Sequence, residues 1–257
     1  MKVTRRTTLR LGAGTAAALA MPASLRLALA QDRSSDRYPT DGGEIVVYPI
    51  AHASIVLEVP GMVIYVDPVG EADAYEGLPP PDLVLITHEH GDHFSPDTLD
   101  VTVSAQSQFI TNPSVYEKLS EDYRARATAM KNGDTTEVRD VQIEAIPAYN
   151  MTEDRLQYHP KGRDNGYVLT IDGRRVYIAG DTEDTPEMRA LRNIDVAFIP
   201  MNLPYTMDID QAASAVIEFK PANVYPYHYR GSDVEAFAAK VREGAPEVNV
   251  ILGPWYG

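Results

Sequence analysis

Four side chains able to bind a metal ion fall within six residues of one another: His88, His90, Asp92 and His93, in the run Thr87-His88-Glu89-His90-Gly91-Asp92-His93. Imidazole nitrogen and carboxylate oxygen suit zinc and, less selectively, manganese or iron. Residues two apart in extended backbone leave the same face, so His88 and His90 can grip one ion. Gly91 lets the chain turn and directs Asp92 and His93 toward a second. Without a cation, four such groups would crowd one another or stay unsatisfied. The histidines beyond residue 30 are His52, His88, His90, His93, His159 and His228, and each falls at a predicted strand end or in an adjacent loop. A chain using histidine for packing alone would scatter some onto helices.

These donors need elements to hold them. The apolar run Asp82-Leu83-Val84-Leu85-Ile86, just before the donors, reads as a buried strand. Upstream, 44–50 and 54–59 are rich in Val and Ile and read as strands, with His52 between them. Pro60-Gly61 folds the second into a hairpin with 62–66, which ends at Asp67-Pro68. Residues 70–81 close on three prolines and read as an irregular loop, because proline lacks a backbone donor. Downstream, Ser95-Pro96-Asp97 opens a short helix, and Asn112-Pro113 starts another over 114–122. Strands are expected at 108–111, 134–139 and 141–147, then a hairpin of 166–171 and 175–179 through Asp172-Gly173. Gly180 breaks that hairpin and presents Asp181 ahead of a helix over 182–192. Strands at 195–200, 222–227 and 248–252 alternate with helices capped by Asp208 and Asp233. In the first of these helices Ala212, Ala215, Val216 and Phe219 recur at helical spacing. The expectation is an α/β chain with two mixed sheets face to face and helices outside.

Composition narrows the function. With 257 residues, 44% of them hydrophobic, the chain suffices for one domain with a sizeable core. It has no cysteine, which excludes disulfides, thiolate metal sites and cysteine nucleophiles. Residues 31–257 carry 18 basic against 37 acidic side chains, a net charge of −19. Such a body repels nucleic-acid phosphates and anionic lipid, so the expected partner is a small molecule. The first 30 residues differ: Arg5-Arg6 precede the mild apolar run Leu11 to Ala20, and Ala28-Leu29-Ala30 offers a cleavage site. The paired arginines resemble a twin-arginine export signal, with Thr8 where a bulkier residue is usual. The run is too short and interrupted to span a bilayer, so no stable membrane insertion is expected after cleavage. The division is therefore a signal peptide over 1–30, a flexible lead-in over 31–43 and one catalytic domain over 44–257, periplasmic or secreted.

The donor run resembles the H-x-H-x-D-H signature of the metallo-β-lactamase superfamily. His52-Ala53-Ser54, Tyr65-Val66-Asp67-Pro68, Ala179-Gly180-Asp181-Thr182 and Pro226-Tyr227-His228-Tyr229 extend the resemblance over residues 44–252. Their arrangement is similar to the branch of ascorbate-6-phosphate lactonase. The resemblance implies a four-layer αββα sandwich, with Asp181 bridging two divalent ions, zinc first and manganese or iron otherwise. His88 and His90 would hold one ion; Asp92, His93 and His228 the other. Asp67 would hold a metal-binding histidine from behind.

One position departs from the pattern. Where the superfamily carries a third histidine for the first ion, this chain has Asn150, and His159 follows nine residues later. His159 reaches back to replace it, or Asn150 or water completes the site while His159 touches substrate, or only one ion binds. His52, Asn150, Tyr229 and Arg230 are candidate substrate contacts, and Lys161 and Arg163 add positive charge nearby. The implied chemistry is hydrolysis by a metal-bound hydroxide, with Asp92 orienting it or accepting its proton, on a small ester or lactone. A phosphodiester hydrolase and a non-catalytic metal- or ligand-binding protein are the alternatives.

Overall fold

The computed structural model describes residues 34–256. The predicted signal, residues 1–30, lies outside the described residues. Fourteen strands form two seven-stranded sheets, each running in chain order. The first comprises β1 (Asp36–Pro39), β2 (Glu44–Ala51), β3 (Ser54–Val59), β4 (Met62–Val66), β5 (Leu83–Ile86), β6 (Gln108–Thr111) and β7 (Ala127–Ala129). The second comprises β8 (Thr135–Val138), β9 (Val141–Ala148), β10 (Asp164–Ile171), β11 (Arg174–Ile178), β12 (Val196–Pro200), β13 (Asn223–Tyr227) and β14 (Asn249–Val250). In both sheets the first four strands are antiparallel and the last three join in parallel. The helices are α1 (Pro96–Thr102), α2 (Pro113–Lys118), α3 (Glu121–Arg124), α4 (Pro186–Arg189), α5 (Ile209–Phe219) and α6 (Val234–Gly244).

The strand pleat explains the layering. Along β2, Ile45 and Val47 point into the core between the sheets, while Val46 and Tyr48 point to the outer face. Leu57, Ile64 and Leu85 meet Ile143, Leu169, Ile178 and Phe198 in that central core. On the outer face of the first sheet, Val56, Tyr65, Val84 and Phe109 pack against Leu99 of α1 and Val115 of α2. On the outer face of the second, Tyr177, Ala197, Ile199 and Val224 pack against Ala212, Val216 and Phe219 of α5 and Phe237 and Val241 of α6. The result is the α/β sandwich expected, helices outside two mixed sheets. The long outer helices start where the sequence marks them. The Asp208 carboxylate accepts from Gln211 N while Gln211 reaches back, and Asp233 accepts from Ala236 N.

Four local expectations need correction. Residues 36–39, read as flexible, form an edge strand, because Tyr38 finds Tyr225 of the other sheet at 2.6 Å. The loop over 70–81 holds a 3-10 turn, Ala72–Tyr75, before its prolines. The helix over 114–122 breaks into α2 and α3, since Ser120 caps a new helix through Tyr123 N. The helix over 182–192 shrinks to α4, capped by Thr185. Its first residues are needed elsewhere: the Thr182 hydroxyl accepts from Tyr149 N, and the Glu183 carboxylate accepts from Met151 N and Thr152 N.

Candidate metal centre

The donor loop leaves β5 at Ile86 and is fastened from behind by Asp67. One Asp67 oxygen accepts Thr87 N at 2.8 Å; the other accepts the Thr87 hydroxyl at 2.7 Å and faces His93 Nδ1 at 2.8 Å. Those partners account for a buried carboxylate at the end of β4. The loop turns at 90–94, where His93 N and Phe94 N both bond His90 O. Gly91 is not in the left-handed region and a Cβ there would touch nothing within 4 Å, so the turn does not depend on glycine. Gly180 does matter: its φ is +65° and a Cβ would lie 2.9 Å from Asn165 O. That close approach sets Asp181 beside the loop.

Three groups of donors converge. His88, His90 and His159 present ring nitrogens within 4.8 Å of one another; so do His52, Asp92, His93 and His228 with their nitrogens and carboxylate oxygen, and so do His88, His93 and Asp181. Asp181 lies among them. Its Oδ1 is 3.2 Å from His93 Nε2; its Oδ2 is 3.2 Å from His228 Nε2, 3.4 Å from His159 Nε2 and 3.9 Å from His88 Nε2. The far ring nitrogens are already engaged: His88 Nδ1 with the Thr87 hydroxyl at 3.0 Å, His93 Nδ1 with Asp67, and His159 Nδ1 with Asp164 at 3.0 Å. This fixes which nitrogen faces inward. The inward atoms His88 Nε2, His93 Nε2, His159 Nε2, His228 Nε2 and Asp181 Oδ1 are buried without any hydrogen-bond partner. Buried polar groups are seldom orphaned, and five converging on one spot suit divalent cations taking N and O ligands.

The electrostatics agree. Burial pushes His93 down, but the carboxylates of Asp181 and Asp67 outweigh it and hold the imidazole well above its ordinary value. Burial would raise Asp181, yet the imidazoles of His228 and His93 keep it well below the carboxylate range. Burial, then the neighbouring His93, pushes His88 well down. Positive charge is thus favoured at the centre, while His88 is kept neutral and able to donate a lone pair.

The donors open into a cavity of about 630 Å³ lined by His52, His90, Asp92, Tyr158, His159, Asp181, Asn202, Tyr205 and Arg230. His52 Nε2 lies 3.1 Å from Asp92 Oδ2, and its Nδ1 lies 2.6 Å from the Tyr256 hydroxyl. Burial lowers His52, so the neutral ring donates through Nε2 to Asp92 and accepts from Tyr256. The Tyr256 oxygen in turn accepts Arg230 N at 3.2 Å. His52, Asp67 and His228 all adopt left-handed backbone, with φ of 51°, 43° and 46°. Such conformations cost non-glycine residues on the order of 1–2 kcal/mol and cluster at functional sites.

The structure therefore brings His88, His90, Asp92, His93, His159, Asp181 and His228 together, with His52 and Arg230 on the cavity wall. Asn150 does not line the cavity. It is buried; its amide donates to Tyr205 O at 2.8 Å and Arg155 O at 3.1 Å, and its N–H donates to His159 O at 2.8 Å. Its hydrogen bonds tie the loop that carries His159 to Tyr205 O, while its side-chain Oδ1 is buried without a hydrogen-bond partner. Tyr229 also misses the cavity, packing between the two cores with its ring 4.7 Å from Tyr256. Lys161 and Arg163 border a different surface depression, and each is taken locally, by Glu187 at 3.8 Å and Asp164 at 2.7 Å. The sequence expects the loop over 150–165 and the segment 201–207 to flank the pocket, and Tyr158, Asp164, Asn202 and Tyr205 fall within them, but it singles out none of these four, nor Tyr256.

Comparison with known proteins now places this arrangement. The beta-lactamase superfamily domain family matches residues 47–228. A UPF0173 metal-dependent hydrolase of Thermococcus onnurineus (strain NA1) is 34% identical over 182 residues, 67% of this chain and 79% of that one. Among solved structures, a Parabacteroides distasonis protein assigned as a metal-dependent hydrolase is 39% identical with a TM-score of 0.78, covering 87% of this chain and 100% of that one. Igni18 of Ignicoccus hospitalis, a metallo hydrolase, is 27% identical with a TM-score of 0.68, covering 81% and 94%. The chain belongs to the metallo-β-lactamase superfamily and is a metal-dependent hydrolase of its UPF0173 family.

Proposed function

We propose that this metal-dependent hydrolase works with two divalent cations, zinc first, on a small ester or lactone. His88, His90 and His159 would hold one ion, and Asp92, His93 and His228 the other, with Asp181 between them. The observation that carries the reading is the convergence of five buried, unpartnered donor atoms on one point. When bound, such cations supply a Lewis acid and lower the pKa of water toward neutrality. The remaining work falls to the chain. His52 engages Oδ2 of Asp92, which leaves Oδ1 free to orient the attacking water and take its proton. In the reaction the water oxygen bonds to the acyl carbon, the acyl C–O bond breaks, and the proton ends on the leaving alcohol. Tyr256 holds the tautomer of His52 from outside the cavity.

The small cavity and the acidic chain favour a small substrate over a nucleic acid. Among the described residues no helix is long and apolar enough to cross a membrane. The twin-arginine-like leader supports export to the periplasm or beyond, in a folded and metal-loaded state; the mass of the mature N-terminus tests this, and an intact Met1 would reject it. Metal content per chain tests the centre. About two ions in the wild type and in Asn150→Ala, falling toward one in His159→Ala, is the expected result. One ion or fewer in the wild type, indifferent to His159, would overturn the assignment. Loaded protein is then assayed on matched lactones, esters and phosphodiesters.

A further inference from the structure

One cation on the cavity wall has no partner. Arg230 lines the cavity, and its guanidinium makes no hydrogen bond or ion pair among the described residues. Most of its counterparts are neutralised: Arg155 by Glu183 at 2.9 Å, Arg174 by Asp195 at 2.8 Å, Arg189 by Asp184 at 2.5 Å. The cavity carboxylates do not pair with it either, since Asp92 and Asp181 face imidazoles. An unpaired guanidinium matches a carboxylate or phosphate with two parallel hydrogen bonds. In a chain so acidic, it marks one place where an anion would be welcomed.

A second feature is apolar. Tyr158 and Tyr205 line the same cavity, with their rings edge to face at 5.0 Å. Tyr205 is 44% exposed although it stands on the cavity wall. Asn150 ties the two loops together through Tyr205 O and Arg155 O, which holds the tyrosine pair in place. A partly exposed aromatic pair on a cavity wall offers a flat apolar contact surface to a small ligand. The tyrosine wall adjoins His159 of the first donor group, and Arg230 follows His228 of the second.

We propose that the substrate is a small amphipathic anion: an ester or lactone whose carboxylate or phosphate is taken by Arg230 and whose flat apolar half lies on Tyr158 and Tyr205. This rests on the hydrolase reading of the same site and supplies its substrate class. Arg230 is exposed, so its substitution leaves the fold intact and tests the charge alone. Binding of phenylacetate, phenyl phosphate and neutral phenylacetamide to metal-loaded protein is measured by calorimetry for wild type, Arg230→Met, Arg230→Lys and Tyr205→Ala. Arg230→Met should weaken one or both anions tenfold or more, Arg230→Lys less, and neither should move the amide. The anion that loses more identifies the group recognised. Tyr205→Ala should weaken all three phenyl compounds at least threefold and leave acetate and inorganic phosphate unchanged. Anions held equally by wild type and Arg230→Met, or no more tightly than the amide, would overturn the proposal, as would no binding at all. Turnover of neutral and anionic phenyl esters separates the two readings. Turnover indifferent to Arg230 sinks the subsite alone, whereas Arg230-dependent binding without turnover of any ester sinks the ester and lactone reading.

Discussion

The two sheets are built to the same plan and furnished differently. Each runs four antiparallel strands and then adds three in parallel, so β4 corresponds to β11, β5 to β12 and β6 to β13. An aspartate follows β4 and another follows β11. Asp67 is buried behind the donors with its oxygens spent on Thr87 and His93. Asp181 stands in front, with an unpartnered oxygen facing the imidazoles. After β5 the first sheet delivers His88, His90, Asp92 and His93 in one loop, whereas the second offers single donors after β9, β11 and β13. Equivalent stations in a repeated framework thus face different partners, one aspartate turned to the donor loop from behind and one to the imidazoles.

The sharpest test of that difference is to neutralise each aspartate in turn. Asp181→Asn should release metal to below one ion per chain and lower kcat/KM by on the order of 10³-fold, the several kcal/mol a polarising cation contributes. Asp67→Asn keeps every donor, so it should cost about 10- to 100-fold in metal affinity, read by competition with a chelator. Equal losses in the two variants would erase the distinction between front and back. A smaller effect is expected from Tyr256→Phe, which removes one hydrogen bond from His52. A loss of about 1 kcal/mol, roughly fivefold in kcat, with metal content unchanged is the predicted outcome.

The smallest prediction concerns the contact that joins the two sheets at β1. Tyr38 donates to Tyr225, whose hydroxyl donates to Asp36 at 2.7 Å. Burial above all pushes Tyr38 from its ordinary 10.0 up to about 12. Because the folded value is raised, this contribution to stability is intact below about pH 10 and is lost as pH climbs through about 12. The denaturant midpoint should fall across that window, and less so in Tyr38→Phe.

How much could be read beforehand follows the same division. The donor loop was legible because its ligands are contiguous and follow an apolar strand. Asp181 and His228 are dispersed and their roles follow from family resemblance, whereas His159 is a candidate only because Asn150 departs from that pattern. Tyr256 left no trace, since it meets His52 across 204 positions with no motif at either end. Strands β1 and β7 were missed because they are short and polar, and are held by their neighbours rather than by their own pattern. The helix before α4 was overcalled because helical propensity there loses to the buried contacts of Thr182 and Glu183. Asn150 stands out in the sequence as a departure from the family pattern, and only the structure shows its amide joining two loops.

The divided donor set has a thermodynamic meaning. His52, His88, His90, Asp92 and His93 come from the first sheet; His159, Asp181 and His228 come from the second. An ion gripped by both behaves as a clasp between half-molecules, so its affinity and the cohesion of the sandwich are one linked free energy. Under the proposed ligand assignment, metal acquisition would act as a checkpoint on completed folding, because neither half alone presents the full grip.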